Sequence, residues 1–196
     1  MTGFDTSNAS GSGSRSGLEQ EMSDLTIQLA VFLALSALLL LFTLRRRHRH
    51  RFYRFGAFEC VLALVLLNTG SWFADPFSGL QLLSWPLLAG SLAMAVHAVV
   101  LLHSAAPPGA DIEETTSLIT RGAYRYIRHP LYCSLLLLGL GAFLKAPSIP
   151  GLLLFALLVA FAFRTAQVEE GHNLERFGQA YRDYKLRTKM FIPFLV

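Results

Sequence analysis

Charge is scarce in this sequence. Only 15% of its 196 residues are Asp, Glu, Lys or Arg, where a soluble domain carries about 25%, and 53% are hydrophobic. That shortage excludes an ordinary water-soluble globular domain and points to a chain embedded in a membrane. Cysteine is nearly absent: Cys60 and Cys133 stand alone in apolar stretches. This excludes a disulfide scaffold or a cysteine zinc site and leaves two small buried hydrophobes. The signatures of soluble catalysis are missing too. No glycine-rich phosphate loop follows a strand, and neither a Gly-x-Ser-x-Gly elbow nor a His-Glu-x-x-His metal helix occurs. No metal site is expected.

Long hydrophobic runs are plentiful. Residues 25–44 carry no charge and are long enough to cross a bilayer core as a helix. Arg45, Arg46, Arg47, Arg49, Arg51 and Arg54 follow at once, so this end is assigned to the cytoplasm and the span runs inward. A basic cluster abutting a span meets lipid headgroups, and no nucleic-acid partner is expected. Residues 55–74 are predicted to lead outward and residues 80–103 to return. The polar stretch 104–130 holds Arg121, Arg125 and Arg128 on the inner side. Two shorter apolar runs, 131–144 and 151–163, flank Pro147 and Pro150 and predict a helical hairpin, with Gly139 and Gly141 letting helices approach closely. Residues 1–24, rich in Gly and Ser, read as a disordered polar tail. The expected fold is an all-α integral membrane protein with about five transmembrane helices, the last two forming the hairpin. The N-terminus is expected outside and the C-terminus in the cytoplasm, with a bacterial inner membrane as the setting.

Ionisable and polar groups inside spans are costly in lipid, which makes Glu59, Asn68, Trp85 and His97 worth following. Glu59 is expected to pair with Arg54 or Arg51. His97 is expected to bond a neighbouring helix or to line a cavity.

Two polar segments concentrate chemistry. Residues 122–132 read Gly-Ala-Tyr-Arg-Tyr-Ile-Arg-His-Pro-Leu-Tyr. Pro130 suits the first turn of a helix, and the free N–H groups of that turn, with Arg128 and His129, form a receptor for a carboxylate or phosphate. Residues 168–184 read Val-Glu-Glu-Gly-His-Asn-Leu-Glu-Arg-Phe-Gly-Gln-Ala-Tyr-Arg-Asp-Tyr. On a continuing helix Glu169, His172 and Asn173 share a face, and the adjacent carboxylates of Glu169 and Glu170 suit a cationic ligand group. The two point about 100° apart. One is expected to face a cleft and the other to meet a basic neighbour or water.

In this order the two segments resemble the isoprenylcysteine carboxyl methyltransferase family and its wider group, which includes phospholipid methyltransferases. The resemblance rests on Gly122, Tyr124, Tyr126, Arg128, His129, Pro130 and Tyr132, then, after the hairpin, Glu169, Glu170, Phe177, Gly178, Tyr181, Tyr184 and Pro193. Ser134, Asn173 and Met190 depart from the family's usual residues. The resemblance implies an S-adenosyl-L-methionine-dependent methyltransferase, with residues 25–103 as three membrane helices and 104–196 as the catalytic region. Its C-terminal helices would help to bind the cofactor at the cytoplasmic face. It assigns catalytic roles to Arg128, His129 and Glu170. It assigns cofactor binding to Tyr126, Arg128, His129, Pro130, Tyr132, Glu169, Glu170, Asn173, Phe177, Tyr181 and Tyr184. A lipophilic or lipidated acceptor would enter from the bilayer. Two alternatives stay open: an NADPH-dependent sterol-type reductase of similar architecture, and a non-catalytic module that keeps the fold.

Overall fold

The computed structural model describes residues 10–45, 51–105 and 117–192, and every described segment is helix, turn or loop. Six helices follow in order: α1 (Ser10–Arg45), α2 (Arg51–Leu67), α3 (Gly79–His103), α4 (Pro130–Phe143), α5 (Ile149–Phe177) and α6 (Gln179–Arg187). Short 3-10 turns lie at Thr69–Ser71 and Gly122–Arg125. Among the described residues three helical stretches are long and apolar enough to cross a membrane: Met22–Leu41, Gly79–His103 and Ile149–Phe177. The other two expected spans are shorter helices, 17 residues in α2 and 14 in α4.

Three boundaries differ from expectation. Helix α1 begins at Ser10, inside the stretch expected to be a disordered tail. Leu18 to Met22 are good helix formers without proline, and a nucleated apolar helix extends at little cost. Helix α2 stops at Leu67, where Asn68 turns its side chain back to the Leu64 carbonyl (2.9 Å). Helix α5 does not end at its apolar boundary but runs on through Arg164 for 29 residues. Pro150 sits in its first turn rather than in the hairpin bend, and the Ser148 hydroxyl accepts from the Gly151 N–H (3.2 Å). The long α5 carries both glutamates on the helix that crosses the bundle.

Helix α4 packs mainly along α3, and α5 along α2. Hydroxyls stitch the first pair: Ser84 Oγ donates to the Gly141 carbonyl and Ser91 Oγ to the Ser134 carbonyl, each at 2.8 Å. Ser134, a departure from the family pattern, is thus a buried packing residue. The glycines act as expected. A Cβ on Gly139 would lie 2.3 Å from Leu158, and one on Gly141 2.9 Å from Leu88. Ala57, Cys60, Val61, Leu64, Ala142 and Leu158 form the buried core. Cys60 and Cys133 are free thiols. No residue of Met22–Leu41 is buried and most of its apolar side chains are exposed, as a lipid-facing helix requires.

Candidate active site

The start of α4 is held by the end of the chain. Arg128 N–H donates to the Lys189 carbonyl (2.8 Å), His129 N–H to the Met190 carbonyl (3.1 Å), and Lys189 N–H to the Tyr126 carbonyl (3.1 Å). Met190 therefore acts here through its backbone, which its departure from the family pattern leaves intact. The Tyr184 hydroxyl donates to the Tyr124 carbonyl (2.6 Å), fastening α6 to the same loop. Pro193 lies outside the described residues.

The glutamates divide. Glu170 is 6% exposed. Arg128 Nε donates to its Oε1 and Lys185 Nζ to its Oε2, both at 2.6 Å. Arg128 also donates to the carbonyl of Thr188. The second glutamate meets basic neighbours, one of the two outcomes expected, but the pair is internal rather than exposed, a clasp between α5, α6 and the loop. Glu169 instead reaches a cavity and accepts from the Tyr132 hydroxyl.

Between the carboxylates sits His129, 5% exposed. Its Nδ1 is 3.6 Å from Glu169 and its Nε2 3.6 Å from Glu170. Both distances are too long for a hydrogen bond, and Nε2 is buried with no hydrogen-bond partner among the described residues. Burial alone lowers this imidazole's pKa, but Glu169 and Glu170 outweigh it and leave the value raised. Burial likewise pushes the Tyr181 phenol up to about 12, and those of Tyr124 and Tyr184 up as well. These phenols stay neutral donors.

The cavity holds about 550 Å³, within the range of about 300–1,000 Å³ usual for small-molecule sites. Its polar wall comprises Tyr124, Arg128, His129, Tyr132, Glu169, Asn173, Phe177, Tyr181 and Tyr184. Eight of the expected site residues thus converge there from α4, α5, α6 and the loop before α4. Three do not line it. Tyr126 is 52% exposed, with the Arg125 guanidinium over its ring. Pro130 is fully buried as the helix start. Glu170 is consumed by its clasp. The expected anion receptor at the helix start is also partly closed, because the Arg128 and His129 N–H groups are spent on carbonyls.

Sequence reasoning missed the apolar lining. Phe58 from α2, Ala95 and Leu102 from α3, and Leu118, Ile119, Leu131 and Leu135 supply it, and Arg54 lines the cavity as well. Nothing local in the sequence marks these positions, since helix packing brings them in. Arg54 is expected at the inner boundary of a span and as a partner of Glu59, not on a cavity wall. Lys185 follows the last motif tyrosine, and no spacing announced its partner. His97 accepts from the Ala123 N–H (3.2 Å), so it bonds the loop rather than a helix. Gly122, at φ +60°, permits the approach, and a Cβ there would lie 2.5 Å from His97 Nε2. Glu59 keeps Oε1 buried without a hydrogen-bond partner among the described residues. No group of potential metal ligands gathers among the described residues.

Comparison with known proteins bears on this geometry. Residues 84–180 match the family model of phospholipid methyltransferase, a span that includes the first polar segment and the second as far as Ala180. The chain is 30% identical over 146 residues to the nickel-cobalt-cadmium resistance protein NccN of Alcaligenes xylosoxydans xylosoxydans, covering 72% of this chain and 65% of that one. It is 30% identical over 79 residues to protein-S-isoprenylcysteine O-methyltransferase of Schizosaccharomyces pombe (40% of this chain, 34% of that one). It is 38% identical over 72 residues to methanethiol S-methyltransferase 1 of Bradyrhizobium diazoefficiens (36% and 24%). The chain thus spans just under two thirds of the length of the first of these relatives and about a third or less of the others. No solved structure matches it. The resemblance read from the motifs stands: this chain is a homologue of membrane methyltransferases of the phospholipid and isoprenylcysteine type.

Proposed function

We propose that the chain is an S-adenosyl-L-methionine-dependent methyltransferase acting on a lipophilic acceptor that reaches the cavity from the bilayer. The observation that carries this is the cavity itself, lined both by motif residues from four segments and by apolar side chains. The residues fit the cofactor. Its ammonium suits Glu169, the carboxylate exposed to the cavity. Its carboxylate suits the His129 ring, which lines the cavity and whose raised pKa favours the charged imidazolium. The faces of Tyr124, Phe177 and Tyr181 suit an adenine and a sulfonium. When bound, it supplies a methyl carbon activated by positive sulfur.

The protein's own part is positional. Arg128, Lys185 and Glu170 lock the polar wall, and the apolar lining excludes water and receives the acceptor's hydrocarbon. Methyl transfer is an in-line displacement, so alignment and dryness account for much of the rate. Two of the curated relatives above are named as an O- and an S-methyltransferase, which supports methyl transfer over a nicotinamide reductase. The Arg residues at the cavity end support a C-terminus in the cytoplasm, with the N-terminus outside a bacterial inner membrane.

Incubating membranes that hold the chain with methyl-labelled cofactor and a panel of thiols, prenylcysteine carboxylates and phospholipid amines tests the proposal. Label transferred to an acceptor is expected. Stabilisation by NADPH and not by S-adenosyl-L-methionine would contradict it.

A further inference from the structure

The end of the described chain has two faces. Gly178, at φ +54°, turns the backbone after α5, and α6 folds back onto the loop before α4. In the strap that follows, residues 188–192, Thr188 and Phe191 are buried while Lys189 and Ile192 are exposed. The buried face holds the candidate site. The Thr188 carbonyl accepts from the Arg128 guanidinium, and the Lys189 and Met190 carbonyls accept from the N–H groups of Arg128 and His129. The Phe191 ring lies 6.1 Å from that of His129. The outer face has no part in this. It presents Leu186, 87% exposed, and Ile192, 50% exposed, together with Arg182, Arg187 and Lys189. Tyr126, the motif tyrosine that the cavity leaves out, accepts through its carbonyl from the Lys189 N–H and keeps its ring exposed beside them.

Depth and charge say what covers this outer face. Phe191 packs on Ala162 and Ala166 of α5, which bracket Arg164, the first charge after the apolar stretch of that helix. Lys185 reaches Glu170, four residues farther along α5 than Ala166, or roughly 6 Å. The end of α6 and the strap thus lie alongside the stretch of α5 that leaves the hydrocarbon, where a headgroup layer about 5–8 Å deep begins. Arg182, Arg187 and Lys189 stand against one exposed carboxylate on this segment, Asp183, which accepts from Gln179 (2.9 Å). Among the described residues none of these three cations enters an ion pair. Cations beside exposed apolar side chains at headgroup depth match the surface of an anionic leaflet.

We propose that residues 186–192 seat on anionic lipid headgroups of the leaflet at this end of the bundle, and that this contact holds the backbone clamp on Arg128 and His129 closed. Lipid grips the outer face of the same short segment whose inner face fixes the start of α4. If residues 188–190 lift, Arg128 loses the Thr188 and Lys189 carbonyls and His129 loses that of Met190. A lipid that binds only the seated strap therefore favours the assembled site by linkage. The inference goes beyond the methyl-transfer reading and does not depend on it, since the clamp and its outer face are the same whatever the cavity binds.

The test uses the full chain in nanodiscs of phosphatidylcholine, with and without phosphatidylglycerol, and reads amide hydrogen exchange at Arg128, His129 and Lys189. Exchange there is expected to slow about fivefold with phosphatidylglycerol, the effect of one cation held at an anionic surface. The amide of Lys145, at the other end of α4, should not respond. High salt should abolish the difference by screening. In the double variant Arg187→Gln, Lys189→Gln, exchange in phosphatidylcholine should match the parent's and the response to phosphatidylglycerol should vanish. Ile192→Ser, which keeps both cations, should weaken the response. Equal exchange in the two kinds of disc, or a full response in the double variant, would overturn the proposal. The same slowing from inorganic phosphate or a soluble acidic peptide would overturn it too, by moving the partner out of the bilayer. S-adenosyl-L-methionine titrated into the same discs is read separately: no binding would contradict the methyl-transfer reading and leave the lipid result standing.

Discussion

Helix α4 has a buried charge cluster at each end, and the two are built on different principles. At its C-terminal end Lys145, 5% exposed, donates to Gln81 Oε1 (2.7 Å) and lies 3.4 Å from the centre of the Trp85 ring. Trp72 is the second ring, at 5.5 Å. The Gln81 amide donates to the Ser71 carbonyl (2.9 Å). Here a cation is satisfied by an amide and aromatic faces, and the groups close on one another. At the N-terminal end Arg128, Lys185 and Glu170 form an equally closed clasp, but His129 and Glu169 beside it are turned toward a cavity. Burial of charge is therefore common to both ends. What sets the candidate site apart is that His129 and Glu169 line a cavity, together with apolar side chains.

The comparison can be broken by substitution. The largest effect is expected for Glu170→Gln, which leaves Arg128 and Lys185 facing an uncharged amide in a buried setting. Loss of one member of such a pair costs about 3–5 kcal/mol, to be read from unfolding in detergent. A change below about 1 kcal/mol, the value of an exposed pair, would show that the clasp is not buried in the membrane-bound protein. Gly122→Ala is expected to cost about 1–3 kcal/mol, for the positive φ and the collision with His97, and to weaken cofactor binding by loosening the loop. Unchanged binding would separate the loop from the site.

A smaller effect should appear in the pH dependence. The folded-state pKa of His129 is raised by Glu169 and Glu170 against the opposing effect of burial. Its contribution to stability is thus full below the unfolded imidazole's value of about 6.5 and fades as pH rises through the higher folded value. His129→Gln should flatten that part of the stability curve, as thermal unfolding across pH 5–9 would show; an unchanged curve would remove the carboxylate cage. The smallest effect belongs to the far end. Lys145→Met replaces a buried cation with an apolar chain, often close to neutral, and leaves Gln81 Oε1 without its donor, at about 1–3 kcal/mol. A net change under about 2 kcal/mol with unaltered cofactor affinity is expected. A large loss of cofactor binding would mean that the two ends are coupled.

The two ends were also unequally legible in the sequence. The motif around Arg128 and His129 and the Glu169–Glu170 pair announced the candidate site because residue types and order sufficed. Neither motif told which glutamate faces the cavity. That depends on Lys185 and Arg128 converging on one carboxylate, a contact across 42 positions for Arg128. Periodicity cannot show such a contact. The helical membrane fold was readable from the apolar runs, yet the 29-residue length of α5 was not, because its apolar stretch ends well before its backbone helix does. Lys145 falls between two apolar runs in the sequence, and its burial follows only from the side-by-side packing of α3 and α4.

The division between the glutamates is most directly tested by titrating S-adenosyl-L-methionine into the parent chain, Glu169→Gln and Glu170→Gln under conditions where all three are folded. The account predicts micromolar-class binding to the parent and a loss of about tenfold to hundredfold in Glu169→Gln, the value of a hydrogen bond to a charged group at roughly 1.5–3 kcal/mol. Stability in Glu169→Gln should be near the parent's, whereas Glu170→Gln should lose stability first. Parent-like affinity in Glu169→Gln would contradict the account and leave the cavity without its cation-binding carboxylate.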